Sequence, residues 1–237
     1  MKDIYNDGTY LKNNPTWDAE DALLKAEKIL ELLEKIPISF KTICEVGCGS
    51  AEILYQLSKK LRGNVAFFGF DVSKNAITIA KKKETAKIKI EQKDIASSPD
   101  ENYFFDVILV IDVIEHVDNY FKFLDGIINK SKYTIFHIPL DMCVWSLFRE
   151  KMLLESKERV GHIHNFTEDF IKSILIDHGF KILQQIYTAP TFQVKSLKQT
   201  FINNIRKFLF RINKKFCSKT LGGYSILLLT ENVNNKL

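Results

Sequence analysis

ICEVGCGSAEIL, residues 43–54, is the stretch on which the fold turns. The segment leading into it, KTICEVG (41–47), is a short apolar run rich in β-branched residues, which reads as a buried strand. Two glycines follow at positions 47 and 49, and a helical pattern runs from about Ser50 to Leu61. Strand, tight glycine turn and helix make one unit, and the unit repeats downstream. NVAFFGFD (64–71) is a second strand with a helix from about Ser73 to Lys83, and AKIKIEQKD (86–94) is a third. FFDVILVID (104–112) is a near-continuous apolar strand with YFKFLDGIINK (120–130) as its helix, and KYTIFHIP (132–139) is a fifth strand. A less regular stretch, 140–166, leads to a helix that starts near Thr167 and closes at Gly179. FKILQQIY (180–187) and YSILLLTE (224–231) complete seven strands. Upstream, residues 1–16 read as an irregular arm with aromatic points at Tyr5 and Tyr10, and an amphipathic helix from Asp18 to about Ile36 ends at Pro37. Alternating strands and helices predict an α/β domain, doubly wound about a mostly parallel sheet.

The turn also carries chemistry. Glycines let a ligand approach the backbone, and the following helix presents free N–H groups. Asp71 ends the second strand 22 residues beyond Gly49, where a carboxylate can take the hydroxyls of a ribose. A dinucleotide fingerprint needs a small residue at position 52, and this chain has Glu52; Glu45 adds a second negative group beneath the loop. Both carboxylates oppose a pyrophosphate and suit a cationic ligand without phosphate. S-adenosylmethionine fits that description and NAD does not.

Composition narrows the class. The chain has 237 residues, 46% hydrophobic, enough for a substantial core and too apolar for disorder. No apolar run approaches a membrane span, and the first ten residues lack a secretory leader's apolar stretch, so a cytoplasmic protein is expected. Cys44, Cys48, Cys143 and Cys217 form no CxxC pair and read as reduced thiols. The net charge of +5 is unevenly spread: residues 195–219 hold eight basic and no acidic residues, leaving 5 − 8 = −3 for the rest. With 29 Lys to 5 Arg, the chain lacks the arginine fork that nucleic-acid readers favour, so a nucleic-acid partner is not expected.

The motif series ICEVGCGSAEIL, FGFDVS, KDIA and FDVILVIDVIEHV resembles that of class I S-adenosylmethionine-dependent methyltransferases, over roughly residues 40–190. DVIEHV and GHIHNFTEDFIKSILIDHGF (161–180) are similar to the small-molecule branch that includes the ubiquinone and menaquinone biosynthesis methyltransferases. The resemblance implies a Rossmann-like, seven-stranded sheet, mostly parallel with an antiparallel last strand. It divides the chain into an N-terminal arm and lid helix (1–39) and a methyltransferase domain (40–237) with a basic helical insertion at about 190–221. It places Gly47 and Gly49 at the methionine part of S-adenosylmethionine with Glu45 organising the loop. Asp71 falls on the ribose, Val72 on the adenine, Asp94 with Ile95 at the adenine amino group, and Ile111 and Asp112 along the cofactor pocket.

Methyl transfer is an in-line displacement, so alignment supplies much of the catalysis and a base is needed only for acceptors such as hydroxyls. His116, His162 and His164 are the candidate catalytic histidines, with one of the last two facing the acceptor and the other facing away; His137 and His178 read as structural. Asp112, Glu115 and His116 stand at i, i+3 and i+4, and His162 or His164 could join them around a divalent cation. That arrangement is partly similar to metal-dependent small-RNA 2′-O-methyltransferases, but the motif lacks a second adjacent histidine, and no metal is assigned. Tyr10 and Trp17 read either as a lid or as packing for the first helix. In the basic segment, Leu197, Phe201, Ile205, Phe208 and Ile212 make an apolar helical stripe. It packs on the domain, or lies on an anionic membrane, or meets an anionic substrate or a second subunit. The expected activity is methylation of a small polar acceptor, with oxygen favoured. The alternatives are a metal-assisted RNA 2′-O-methyltransferase and a catalytically silent relative that docks on membranes.

Overall fold

The computed structural model describes residues 5–17, 19–36, 39–99, 103–189 and 197–233. Its centre is a seven-stranded sheet: β1 (Thr42–Val46), β2 (Ala66–Asp71), β3 (Ile88–Gln92), β4 (Phe105–Ile111), β5 (Ser131–Pro139), β6 (Phe180–Thr188) and β7 (Ser225–Asn232). The spatial order is β3-β2-β1-β4-β5-β7-β6. The β1–β2, β1–β4, β2–β3 and β4–β5 pairs are parallel, and β7 runs antiparallel between β5 and β6. The expected doubly wound sheet with an antiparallel last strand is the observed one.

Period-two alternation divides the core cleanly. Ile43 of β1 with Val107 and Leu109 of β4 point to one face, where they meet α2 (Ala22–Leu33) and α3 (Glu52–Lys60). Cys44 and Val46 with Ile108 and Val110 point to the other, under α5 (Tyr120–Ile128) and α8 (Glu168–Asp177). With both faces covered, the central strands read as unbroken apolar runs. α4 (Lys74–Ala80) follows β2, with Ser73 capping its N-terminus by accepting from Ala76 N–H.

Four expectations need adjustment. The arm contains a short helix, α1 (Thr9–Asn13). The first long helix is α2 preceded by a 3-10 turn at Ala19–Asp21, shorter than the 18–36 pattern; Asp18 and Pro37 lie outside the described residues. The stretch 140–166 holds two helices, α6 (Val144–Leu147) and α7 (Glu150–Val160). No residue of α7 is buried, so it carries no apolar stripe to read. The basic segment is a pair, α9 (Leu197–Ile212) and α10 (Lys214–Leu221), broken at Asn213, whose side chain accepts from Phe216 N–H to start α10. The start of that segment, with Lys195, and the side chains of Leu197, Lys198 and Phe201 lie outside the described residues. All four cysteines are buried free thiols.

Candidate active site

The carboxyl ends of β1 and β4 build the site. After β1 the chain turns through a loop in which Gly47 (φ 71°), Gly49 (φ 53°) and Ala51 (φ 56°) all take the left-handed conformation. Gly47 and Cys48 N–H groups both donate to Phe70 O, at 2.8 and 3.0 Å, which ties the loop to β2. A Cβ at Gly47 would sit 2.6 Å from Val113 Cγ2, and one at Gly49 would sit 2.7 Å from Trp17 Cδ1, so only glycine fits either place. Asp71 holds the loop from behind: its carboxylate accepts from Gly49 N–H (2.9 Å) and from Ser73 N–H (2.8 Å). Lys83 closes the other side through Ser50 O (2.8 Å) and Glu52 (3.2 Å).

At the end of β4, Asp112 also lies in the left-handed region, at φ 52°. Its carboxylate is gripped by His137 Nδ1 at 2.6 Å and Lys25 Nζ at 2.7 Å. His137 is oriented in turn by Thr188 Oγ1 at 2.7 Å, and Lys25 reaches Asp21 at 2.9 Å. Burial alone would raise the Asp112 pKa, but His137 and Lys25 outweigh it and hold the group ionised. Lys25 is likewise kept charged, because Asp112 and Asp21 overcome its desolvation. Trp17 is the third non-glycine residue at positive φ among the described residues. Thus all the strained positions of this kind sit on or beside one cavity, as expected where a site is held by its surroundings.

That cavity, of about 730 Å³, is lined by the 47–50 loop, the ends of β1, β4 and β5, the arm residues Tyr10 and Trp17, and the end of α7. Seven carboxylates face it (Glu20, Asp21, Glu45, Glu52, Asp112, Glu115 and Asp141) against two permanent cations, Lys25 and Arg159. Among the described residues, three of these acids hold a buried oxygen with no hydrogen-bond partner: one on Asp21, one on the buried Glu45 and both on the buried Glu115. Burial pushes the Glu45 pKa up to about 8 and raises that of Glu115 well above the ordinary range, with Asp112 adding to the second shift. A buried carboxyl without partners is costly, and a positive ligand would relieve it.

His116 and His162 also line the cavity, with ring centroids 4.9 Å apart. His116 Nδ1 donates to Gly161 O (3.1 Å) and lies 2.9 Å from Tyr5 Oη, which fixes the tautomer and leaves Nε2 toward Glu115. Burial and the nearby His162 lower the His116 pKa to about 4, so it is neutral near pH 7. His162 is oriented by Asp141, 2.7 Å from its Nδ1.

The structure therefore brings Glu45, Gly47, Gly49, Ile111, Asp112, His116 and His162 to one cavity. His164 is not part of it: its Nε2 donates to Val117 O at 2.9 Å and its ring meets the edge of Tyr120. Val72 and Asp94 are exposed at the ends of β2 and β3 outside this cavity; Asp94 accepts from Ser97 N–H at 3.1 Å, and Ile95 is fully buried behind it. The arm crosses that side, with Tyr5 O accepting from Ser73 Oγ and Asn75 Nδ2. Of the four-residue cation constellation, Glu115, His116 and His162 converge, with ligand atoms within 4.8 Å of one another, while Lys25 and His137 take Asp112 away. Such a trio offers the mixed oxygen and nitrogen donors that a divalent cation takes. Sequence reading missed Lys25, Arg159 and Asp141, and took His137 as merely structural.

Comparison with known proteins places this geometry. By sequence, no curated protein matches. By structure, the chain is similar to magnesium protoporphyrin IX methyltransferase from Synechocystis PCC 6803 with bound SAH: TM-score 0.60, 15% identity, 89% of this chain and 83% of that one. It is similar to a putative sarcosine dimethylglycine methyltransferase from Galdieria sulphuraria, with TM-score 0.66, 13% identity, and 97% and 99% of the two chains covered. The plantazolicin methyltransferase BpumL, in complex with a desmethylPZN analog and SAH, gives TM-score 0.62 at 18% identity over 97% and 92%. At these identities the likeness establishes the fold. Residues 18–185, most of the chain, match the family model described as methyltransferase domain, and this chain belongs to that family.

Proposed function

We propose that this chain transfers a methyl group from S-adenosylmethionine to a small polar acceptor, most directly to an acceptor oxygen. The observation that carries the reading is the buried, incompletely bonded Glu45 beneath a glycine loop in a cavity lined by seven acidic side chains. A sulfonium and an ammonium group suit that field, and a phosphate does not. When bound, the cofactor supplies an electrophilic methyl group.

The chain's own residues supply the rest. Gly47 and Gly49 would carry the loop backbone past the methionine part, Asp112 would offer it negative charge, and Glu45, protonated near pH 7 in the ligand-free protein, would give up its proton to meet the cation, with Ile111 alongside. Asp71, Val72, Asp94 and Ile95, at the ends of β2 and β3, would take the adenosine side; Asp71 keeps further lone pairs besides those used by Gly49 and Ser73. His116, neutral and facing the buried Glu115, can accept a proton from an acceptor hydroxyl, and His162, held by Asp141, can orient that hydroxyl. His164 would act only through the turn that it fixes at Val117. The SAH bound in two of the similar structures fits the same cofactor.

Calorimetric titration tests the reading. S-adenosylmethionine should bind, NAD should not, and Glu45→Gln should weaken the affinity about tenfold, the loss of one buried charge interaction. Binding of NAD alone would overturn it. Metabolite extracts incubated with isotopically labelled cofactor, read by mass spectrometry, should yield a methylated small molecule; a bound cofactor that never turns over would leave a silent relative.

A further inference from the structure

We propose that the α9–α10 hairpin docks this protein on anionic lipid bilayers. The inner side of the hairpin is already fixed. Phe210 stacks on Tyr224 with ring centroids 4.1 Å apart and planes at 3°, and meets the edge of Tyr187. Arg206 donates to Leu221 O at 2.8 Å, Cys217 and Ser218 are buried, and Lys215 and Lys219 both bind Asp169.

The outer side is apolar, and no described residue covers it. At 3.6 residues per turn, Phe208 and Ile212 lie about 160° around α9 from Phe210, and Ile205 about 140° from it. They point away from the body, and their exposure agrees: Ile205 40%, Phe208 64%, Ile212 67%, with Phe216 of α10 at 57%. The expectation that this stripe packs on the domain therefore fails for its described residues. Exposed Lys207 and Arg211 line one edge of the stripe, and residues 197–221 contain no Asp or Glu. Beside α10, the α6 segment adds exposed Leu147 and Phe148.

Charge selects the occupant. In an antiparallel two-fold pairing of the stripes the Lys207–Arg211 edges of the two copies would meet, which opposes that second copy. An anionic bilayer satisfies both features at once, taking the apolar side chains into its headgroup boundary and the cations at its surface. The remainder of the chain carries −3, so the same field repels the body and fixes which side faces the lipid. The inference is independent of the catalytic reading.

Co-sedimentation of the full chain with vesicles tests it. The protein should pellet with three parts phosphatidylcholine to one part phosphatidylglycerol, remain in solution with phosphatidylcholine alone, and be released by salt. Phe208→Glu with Ile212→Glu should reduce binding about tenfold or more, and Lys207→Glu with Arg211→Glu should do so on anionic vesicles. All four positions are exposed, so circular dichroism and cofactor affinity should match the parent. Failure to pellet with anionic vesicles, or pelleting that these variants leave unchanged, would overturn the proposal. So would a concentration-dependent dimer, in sedimentation velocity, that Phe208→Glu dissociates while no vesicle binding is seen, since a second copy would then cover the stripe.

Discussion

The cavity and the α9–α10 hairpin handle charge in opposite ways. In the cavity, acidic side chains crowd a small volume, with Glu45 and Glu115 buried, others held by single, specific partners, and three carrying a buried oxygen without a hydrogen-bond partner among the described residues. On the hairpin, Lys207 and Arg211 stand exposed beside exposed isoleucine and phenylalanine, while Lys215 and Lys219 pair with Asp169. The first region concentrates field where water is scarce, so each group there matters greatly and to its immediate neighbours. The second spreads charge over a surface, where each group matters little to the fold and the sum matters to what lies outside.

Mutations should reproduce that contrast. Asp112→Ala leaves the mostly buried Lys25 and the buried His137 without their main partner. Removing one member of a buried pair should cost about 3 kcal/mol in denaturant unfolding, with loss of cofactor binding. A cost below that of an ordinary surface change would show that the Lys25–Asp112–His137 chain does not hold the site.

Proton linkage comes next in size. Glu45 titrates near 8 in the folded chain against 4.5 for an ordinary glutamate, so between those values the folded state keeps a proton that the unfolded chain has released. Its contribution is therefore complete below pH 4.5 and is lost as pH rises toward 8. His116 works the other way, with its folded value of about 4 against 6.5; its contribution is present above 6.5 and lost as pH falls toward 4. Above pH 6.5 only the carboxyl slope remains. From pH 6.5 to 8 Glu45 should lower the stability of the ligand-free protein by about 1–2 kcal/mol, Glu115 adds a fall of the same sign, and Glu45→Gln should remove the Glu45 part and leave the rest. A thermal melt series across this range, with and without the substitution, decides it.

Trp17→Ala, which removes the indole over Gly49, should weaken the cofactor by about 1 kcal/mol, five- to tenfold, and leave the fold intact. Because Trp145 is the only other tryptophan, Trp145→Phe makes Trp17 a fluorescence reporter of binding at this loop. The smallest effect belongs to the hairpin. Ile205→Ser and Phe216→Ser should change stability by no more than about 0.5 kcal/mol, because both side chains are largely in water already. A drop of several kcal/mol would mean that the stripe is covered in the free protein.

Much of this was legible in the chain because strands buried on both faces leave unbroken apolar runs, and the turn after β1 needs glycine at 47 and 49. The sheet, its helices and the place of Glu45, Gly47 and Gly49 follow from those local signals, while Asp112 at the cavity was implied by the family resemblance and His116 and His162 by their position after β4 and β5. Lys25 did not show itself. On an amphipathic helix a lysine reads as solvated, and only the packing of α2 on the sheet carries it to Asp112. His137 was hidden similarly, as one alternating residue in a strand whose partners lie 25 and 51 positions away. α7 left no trace because none of its faces is buried, although its end supplies Arg159 and leads to His162. Local pattern reports what touches the core; long-range charge pairs and exposed helices lie outside its reach.

The four buried cysteines gain a use from their placement. Cys44 lies in the middle of β1, Cys48 in the glycine loop, Cys143 at the start of α6 and Cys217 inside α10. Burial raises the thiol pKa of Cys44, Cys48 and Cys217, so a thiol reagent waits for the chain to open before it reacts. Single-cysteine versions would then act as local clocks. Cys217 should label at the rate at which the hairpin lifts, Cys48 at the rate at which the loop breathes, and Cys44 only when the whole sheet comes apart.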